Sequence, residues 1–87
     1  MTPAVPRILV VGYNAIDVTV PYAGLLPPDA KIEVPPIHLG RGGPGATAAV
    51  ALARLGARVR LVSPLTDDLP GRLQEAELAA AGVDISL

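Results

Sequence analysis

Short continuous apolar runs and longer stretches of helical spacing take turns along the chain. Residues 8–11 (ILVV) form an unbroken apolar run that ends at Gly12. Such a run suits a central parallel strand buried on both faces. Residues 17–22 are β-branched and loosely alternating, which predicts a second strand. Residues 23–30 carry Pro27, Pro28 and Asp29 and predict a turn. Residues 31–39 read as extended, with a break at Pro35 and Pro36. Proline gives no donor to a ladder, so this segment belongs at an edge or on a projecting ribbon. Residues 40–45 predict a loop, and residues 44–55 a helix with Pro44 in its first turn. Gly56 stands where a left-handed C-terminal cap belongs. Residues 58–62 alternate and predict a strand. Asp67 and Asp68 are placed to cap the helix predicted over 72–81, where Leu69, Leu73, Ala76 and Ala80 share a face. Residues 83–87 begin another strand.

The order is strand, ribbon, helix, strand, helix, strand, which is the grammar of βαβ units around a parallel sheet. The first helix is almost apolar all round, interrupted by Thr47 and Arg54. That pattern predicts burial on more than one side. Together with a last strand that is only beginning, it leads us to expect the front end of a larger α/β domain.

Composition sharpens this. A chain of 87 residues is one small domain at most, and a domain of that size buries roughly 60% of its unfolded surface. There is no Phe or Trp, and Tyr13 and Tyr22 are the only aromatics, so the apolar mass is thin. Yet 51% of residues are hydrophobic and 17% charged, which is too apolar for disorder. The surplus apolar surface is expected to be covered by more protein. The net charge of −1 carries no basic footprint for nucleic acid and no polybasic membrane patch. Absence of cysteine excludes disulfides and thiolate metal sites. The N-terminal apolar run is too short for a signal sequence or a membrane span, so a cytoplasmic location is the expectation.

Gly40, Gly42 and Gly45 spell G-x-G-x-x-G, the dinucleotide fingerprint. That motif needs a long central strand before it, but only Ile37, His38 and Leu39 separate Pro36 from Gly40. The acidic residue expected at the end of the following strand is replaced by Ser63. A Rossmann-type NAD or FAD oxidoreductase fragment therefore stands as the alternative reading, not the leading one. A second reading gives the glycines a purely structural task, a tight turn and close approach. A third joins this loop to Gly12, Asn14 and Asp17. Ligands of doubly wound sheets bind at the carboxyl ends of strands. An Asp there accepts from hydroxyls, Asn both gives and accepts, and Gly42 and Gly43 present bare backbone N–H groups. This set suits a polyol better than an anion. His38 has no partner for a metal site, and Arg41 is expected at an exposed ribbon end; with one His and no Cys there is no nucleophilic triad.

These segments, ILVVGYNAIDV and then GRGGPGATAAVALARLGARVRLVSPLTDDLPGRLQEAELAAAGVDIS, resemble the start of a pfkB-type carbohydrate kinase of the ribokinase-like class, over nearly the whole chain. The resemblance implies a three-layer α/β/α parallel sheet with a protruding β-ribbon lid over about residues 17–39. It makes residues 1–87 the N-terminal part of one such domain. Asp68-Leu69-Pro70-Gly71 and Gly82-Val83-Asp84 match the family's second loop and its Gly-Val-Asp turn. By resemblance, Asp17 binds sugar hydroxyls, Gly42 and Gly43 line the sugar's other side, and Asn14 lies in the same loop. Thr47 stands where the family usually has Asn, and Thr66 where it usually has Gly. The activity implied is ATP-dependent phosphorylation of a sugar or related polyol, with Mg2+ and with a homodimer through the lid. The family's catalytic base lies in a late Gly-Ala-Gly-Asp segment absent here, so these 87 residues alone are expected to be inactive. A non-catalytic sugar-binding module is the remaining alternative, favoured by Thr47.

Overall fold

The computed structural model describes residues 4–86. Its elements run β1 (Arg7–Val11), β2 (Ala15–Thr19), β3 (His38–Gly42), α1 (Pro44–Arg54), β4 (Arg58–Val62), α2 (Leu69–Ala80) and β5 (Val83–Asp84). Strands β1, β4 and β5 form a parallel sheet in the order β1-β4-β5, and β2 and β3 form a separate antiparallel hairpin. The fold is thus α/β, built from helix-linked parallel strands as the pattern requires.

The register Ile8↔Val59, Val10↔Leu61 and Val59↔Val83 sets these apolar side chains on one face of the sheet. Ala46, Ala49 and Val50 of α1 and Leu78 of α2 close over that face, making a core with Val59, Leu61 and Val83. Small residues on α1 bring the helix close to the sheet, which suits a chain without Phe or Trp.

Three expectations change here. β1 is the outer strand among those described, with β4 in the middle, and it is covered on one face only. Leu9 and Val11 are 60% and 74% exposed because the two helices both pack on the opposite face. α1 likewise buries one stripe, Gly45, Ala46, Ala49 and Val50, and leaves Thr47, Ala48 and Ala51 exposed. The buried stripe of α2 is Gly71, Gln74 and Leu78, not the Leu69, Ala76 and Ala80 line. The helix also opens at Leu69, not Arg72, because Asp68 caps it and Pro70 costs nothing in a first turn whose N–H groups lack intrahelical partners.

Helix ends follow the sequence more closely. Gly56 and Gly82 take positive φ angles of 99° and 83° after α1 and α2, the left-handed region a side chain would resist. Between β2 and β3 the chain from 20 to 37 has no helix or strand, only a bend at Gly24, a turn at Pro28 and Asp29, and a bend at Pro35. This arm stretches the molecule to 62 Å and gives a radius of gyration of 16.9 Å. A compact chain of this length would have about 12 Å.

Candidate functional site

Two backbone segments meet at the carboxyl end of the parallel sheet: Gly12-Tyr13-Asn14, leaving β1, and Gly42-Pro44 with Gly45, entering α1. They approach so closely that side chains are excluded. A Cβ on Gly45 would stand 2.8 Å from the Gly12 carbonyl carbon, and one on Gly43 would stand 2.7 Å from the Tyr13 carbonyl oxygen. The Gly45 N–H donates to that same Tyr13 oxygen at 3.1 Å. Gly43 also has a φ of 88° and caps α1 without a side-chain hydrogen bond. Close approach therefore accounts for Gly43 and Gly45 on structural grounds.

Asp17 lies within β2, opposite Gly40 in the hairpin register. The strand runs from Ala15 to Thr19, starting two residues earlier and ending three residues earlier than the pattern predicts, so Asp17 lies at its middle and not at its start. Its carboxylate turns toward Gly42, which is buried, and a Cβ at Gly42 would collide with both carboxylate oxygens. Gly40, Arg41 and Gly42 are themselves strand, not loop as the glycine pattern suggests. The antiparallel pairing with β2 supplies the ladder that prolines 35 and 36 precede but do not interrupt. The dinucleotide motif thus has its first two glycines in an antiparallel hairpin and not in a loop that follows a parallel strand into the helix.

Asn14 does a different job from the one its type suggests. Its Nδ2 donates to Ser63 Oγ at 2.6 Å and to the Pro64 carbonyl at 2.8 Å. These bonds tie the exit of β1 to the exit of β4 across the sheet end. Its Oδ1 is buried and has no partner among the described residues. Thr47 sits one turn into α1 on the exposed side, its N–H donating to the Gly43 carbonyl at 3.0 Å. The fold therefore brings Asp17 onto Gly42 and Asn14 onto Gly43, with Thr47 one helical turn further along.

Thr66 is explained by the second loop. Its hydroxyl donates to Asp68 Oδ1 at 2.5 Å, and that oxygen accepts from the Gly71 N–H at 2.9 Å. Both hydrogen bonds hold the Asp68 carboxyl below its usual range, the Thr66 bond contributing most. A Cβ on Gly71 would strike the Thr66 carbonyl oxygen, so Gly is needed at 71 while Thr at 66 adds to the cap. Asp67 instead faces Arg72 at 3.5 Å, an exposed pair of little weight.

Sequence reasoning did not find Glu77. Its Oε2 accepts from the Arg41 backbone N–H at 3.0 Å, linking α2 to β3. Arg41 is half-buried at the hairpin root, not at an exposed ribbon end. No periodicity links two residues on separate elements, and a backbone donor carries no signal in its side chain. His38 is exposed, opposite Thr19. Among the described residues no three His, Cys, Asp or Glu side chains group to hold a metal, and no helix is long and apolar enough to cross a membrane. A larger open groove, about 790 Å3, lies at the far end of the sheet along Arg7, Leu9, Arg58 and Arg60, remote from Asp17.

Comparison with known proteins bears on what this site belongs to. The model of the pfkB family carbohydrate kinases matches residues 5–87. A deoxyribokinase of Salmonella typhi is 35% identical over 63 residues, covering 71% of this chain and 20% of its own. The chain thus spans about a fifth of the length of that curated relative. A carbohydrate kinase from Agrobacterium tumefaciens superposes with a TM-score of 0.82 at 31% identity, over 93% of this chain and 26% of that one. A ribokinase from Cryptococcus neoformans var. grubii serotype A, solved in complex with ADP, gives a TM-score of 0.73 at 32% identity, over 94% and 25%.

Proposed function

Because the chain belongs to the pfkB family of carbohydrate kinases, we propose that it forms the sugar-binding front of a cytoplasmic, ATP-dependent kinase acting on a sugar or related polyol hydroxyl. The observation that carries this is the exposed Asp17 carboxylate seated over Gly42, at the root of the hairpin and beside the carboxyl end of the parallel sheet. An ionised carboxylate accepts only, so it pairs with hydroxyl donors and turns away phosphate. Gly42 and Gly43 leave the wall beside it free of side chains. Thr47 offers one hydroxyl where the family usually has an amide, which narrows the hydrogen bonds available to the substrate. Asn14 holds the two strand exits together and shapes the floor of the same corner.

The hairpin and its arm act as a lid over this corner. Val18, Val20, Ile37 and Leu39 are exposed on them and offer an apolar surface for a second copy of the chain. The residues described do not fit a nucleoside triphosphate and Mg2+: they hold no acidic cluster, and Asp17 repels phosphate. We assign both to parts of the family domain other than these residues, in keeping with the ADP held by the Cryptococcus ribokinase. These 87 residues alone are expected to transfer no phosphate.

Asp17→Asn in the intact protein tests the reading. Sugar affinity should collapse while nucleotide affinity stays unchanged, both measured by calorimetric titration. Unchanged sugar affinity would remove Asp17 from the site.

A further inference from the structure

We infer that Glu77 is a positioning residue for the sugar site: from α2 it holds the root of the hairpin and so fixes Asp17 from behind. The inference rests on the reading of Asp17 as a sugar ligand.

The chain of contacts is short. Glu77 Oε2 accepts from the Arg41 N–H at 3.0 Å. Arg41 pairs with Ile16, the residue before Asp17, and precedes Gly42, on which the Asp17 carboxylate rests. The N–H groups of a strand alternate in direction, so this one points away from β2 and would otherwise be a bare edge donor. A carboxylate acceptor makes the bond charge-assisted, stronger than one between neutral groups. Among the described residues it is also the one hydrogen bond from a side chain of the helical layer to either hairpin strand. Glu77 is half-buried in a small cleft with Arg41, Arg54, Ala80 and Ala81, yet its carboxylate is bonded to the backbone and not to either guanidinium. Beyond this point support ends: Val18 and Leu39, the next pair outward from Asp17 and Gly40, are 56% and 54% exposed. The tether therefore sits at the last supported position of the hairpin, one pair from the carboxylate it fixes.

Glu77→Ala and Glu77→Gln in the intact protein decide the matter. Alanine is the best helix former, so α2 survives the change; glutamine keeps an acceptor oxygen. In Glu77→Ala, amide exchange at Arg41 should rise and sugar affinity should fall, each by about tenfold as expected for a lost charge-assisted bond. Nucleotide affinity should hold. Glu77→Gln should restore most of both losses, which a packing role alone would not predict to track the Arg41 amide. Unchanged Arg41 exchange in Glu77→Ala, or a glutamine variant as impaired as the alanine one, overturns the inference. If Asp17→Asn leaves sugar affinity intact, the sugar-site reading has failed, and Arg41 exchange still judges the tether by itself.

Discussion

The carboxylate of Asp17 occupies the space that a side chain on Gly42 would need. One residue supplies the charge and the other the room for it, twenty-five positions along the chain, brought together because Asp17 faces Gly40 and Gly42 faces Ala15 in the hairpin.

Alanine at positions 42 and 43 should separate two effects. In Gly42→Ala only a short exposed carboxylate has to swing aside, costing about 1 kcal/mol or less. Sugar affinity should nonetheless drop sharply as Asp17 moves. In Gly43→Ala the obstacle is backbone at a φ of 88°, so the stability loss should reach about 3 kcal/mol. Urea titration read beside sugar binding checks the pair.

Asn14→Ala should cost about 1–2 kcal/mol, since it leaves Ser63 and the Pro64 carbonyl without their donor. Asn14→Asp should be worse despite its matching shape, because it sets a carboxylate oxygen against that carbonyl. A reversed order in thermal melts would mean that Asn14 does not clamp the two strand exits.

Gly71→Ala should be among the most damaging single-methyl additions in the chain. The new Cβ meets the Thr66 carbonyl, and the backbone on both sides is fixed by the Asp68 cap. A loss of about 3 kcal/mol is expected, and Thr66→Gly should not rescue it because the obstacle is a backbone oxygen.

Acid should loosen the start of α2 and the exit of β5. The Asp68 carboxyl is held below the ordinary carboxylate range mainly by the Thr66 hydroxyl and then the Gly71 N–H; Asp84 is held below it mainly by the Ser86 hydroxyl and then the Ser86 N–H. A depressed folded-state value means these groups stabilise fully above the ordinary carboxylate range. That stability fades as pH falls through the lowered folded values. Amide protection at Gly71 and Ser86 should therefore decline together at the acid end, and in Asp68→Ala the Gly71 amide should be unprotected at every pH. A Gly71 amide that stays protected in that variant would count against the cap.

Much of the fold was legible because it is written in local chemistry. The strand over 58–62 alternates arginine with apolar residues, and the structure buries Val59 and Leu61 while exposing Arg58 and Arg60. Gly56 and Gly82 stop helices for a reason visible in one residue. The errors arose where a neighbour decides. The run ILVV does not say which of its faces is covered, and helices on one side left Leu9 and Val11 bare. The glycine-rich segment reads as loop by composition, yet pairing with β2 makes Gly40 to Gly42 a strand.

The sequence by itself determined the βαβ order, the helix stops and an aspartate cap at Asp67 or Asp68, all of which depend on residues within a few positions of one another, and with them the family resemblance. Tertiary structure alone decided that Asp17 rests on Gly42, that Asn14 spends its amide on Ser63 and Pro64, and that Glu77 grips the Arg41 backbone. Those contacts join residues 25 to 50 positions apart, and all but the one to the Ser63 hydroxyl are made to backbone that every residue shares. Side-chain identity cannot announce such a contact; only the register of the hairpin and the packing of the helices can place it.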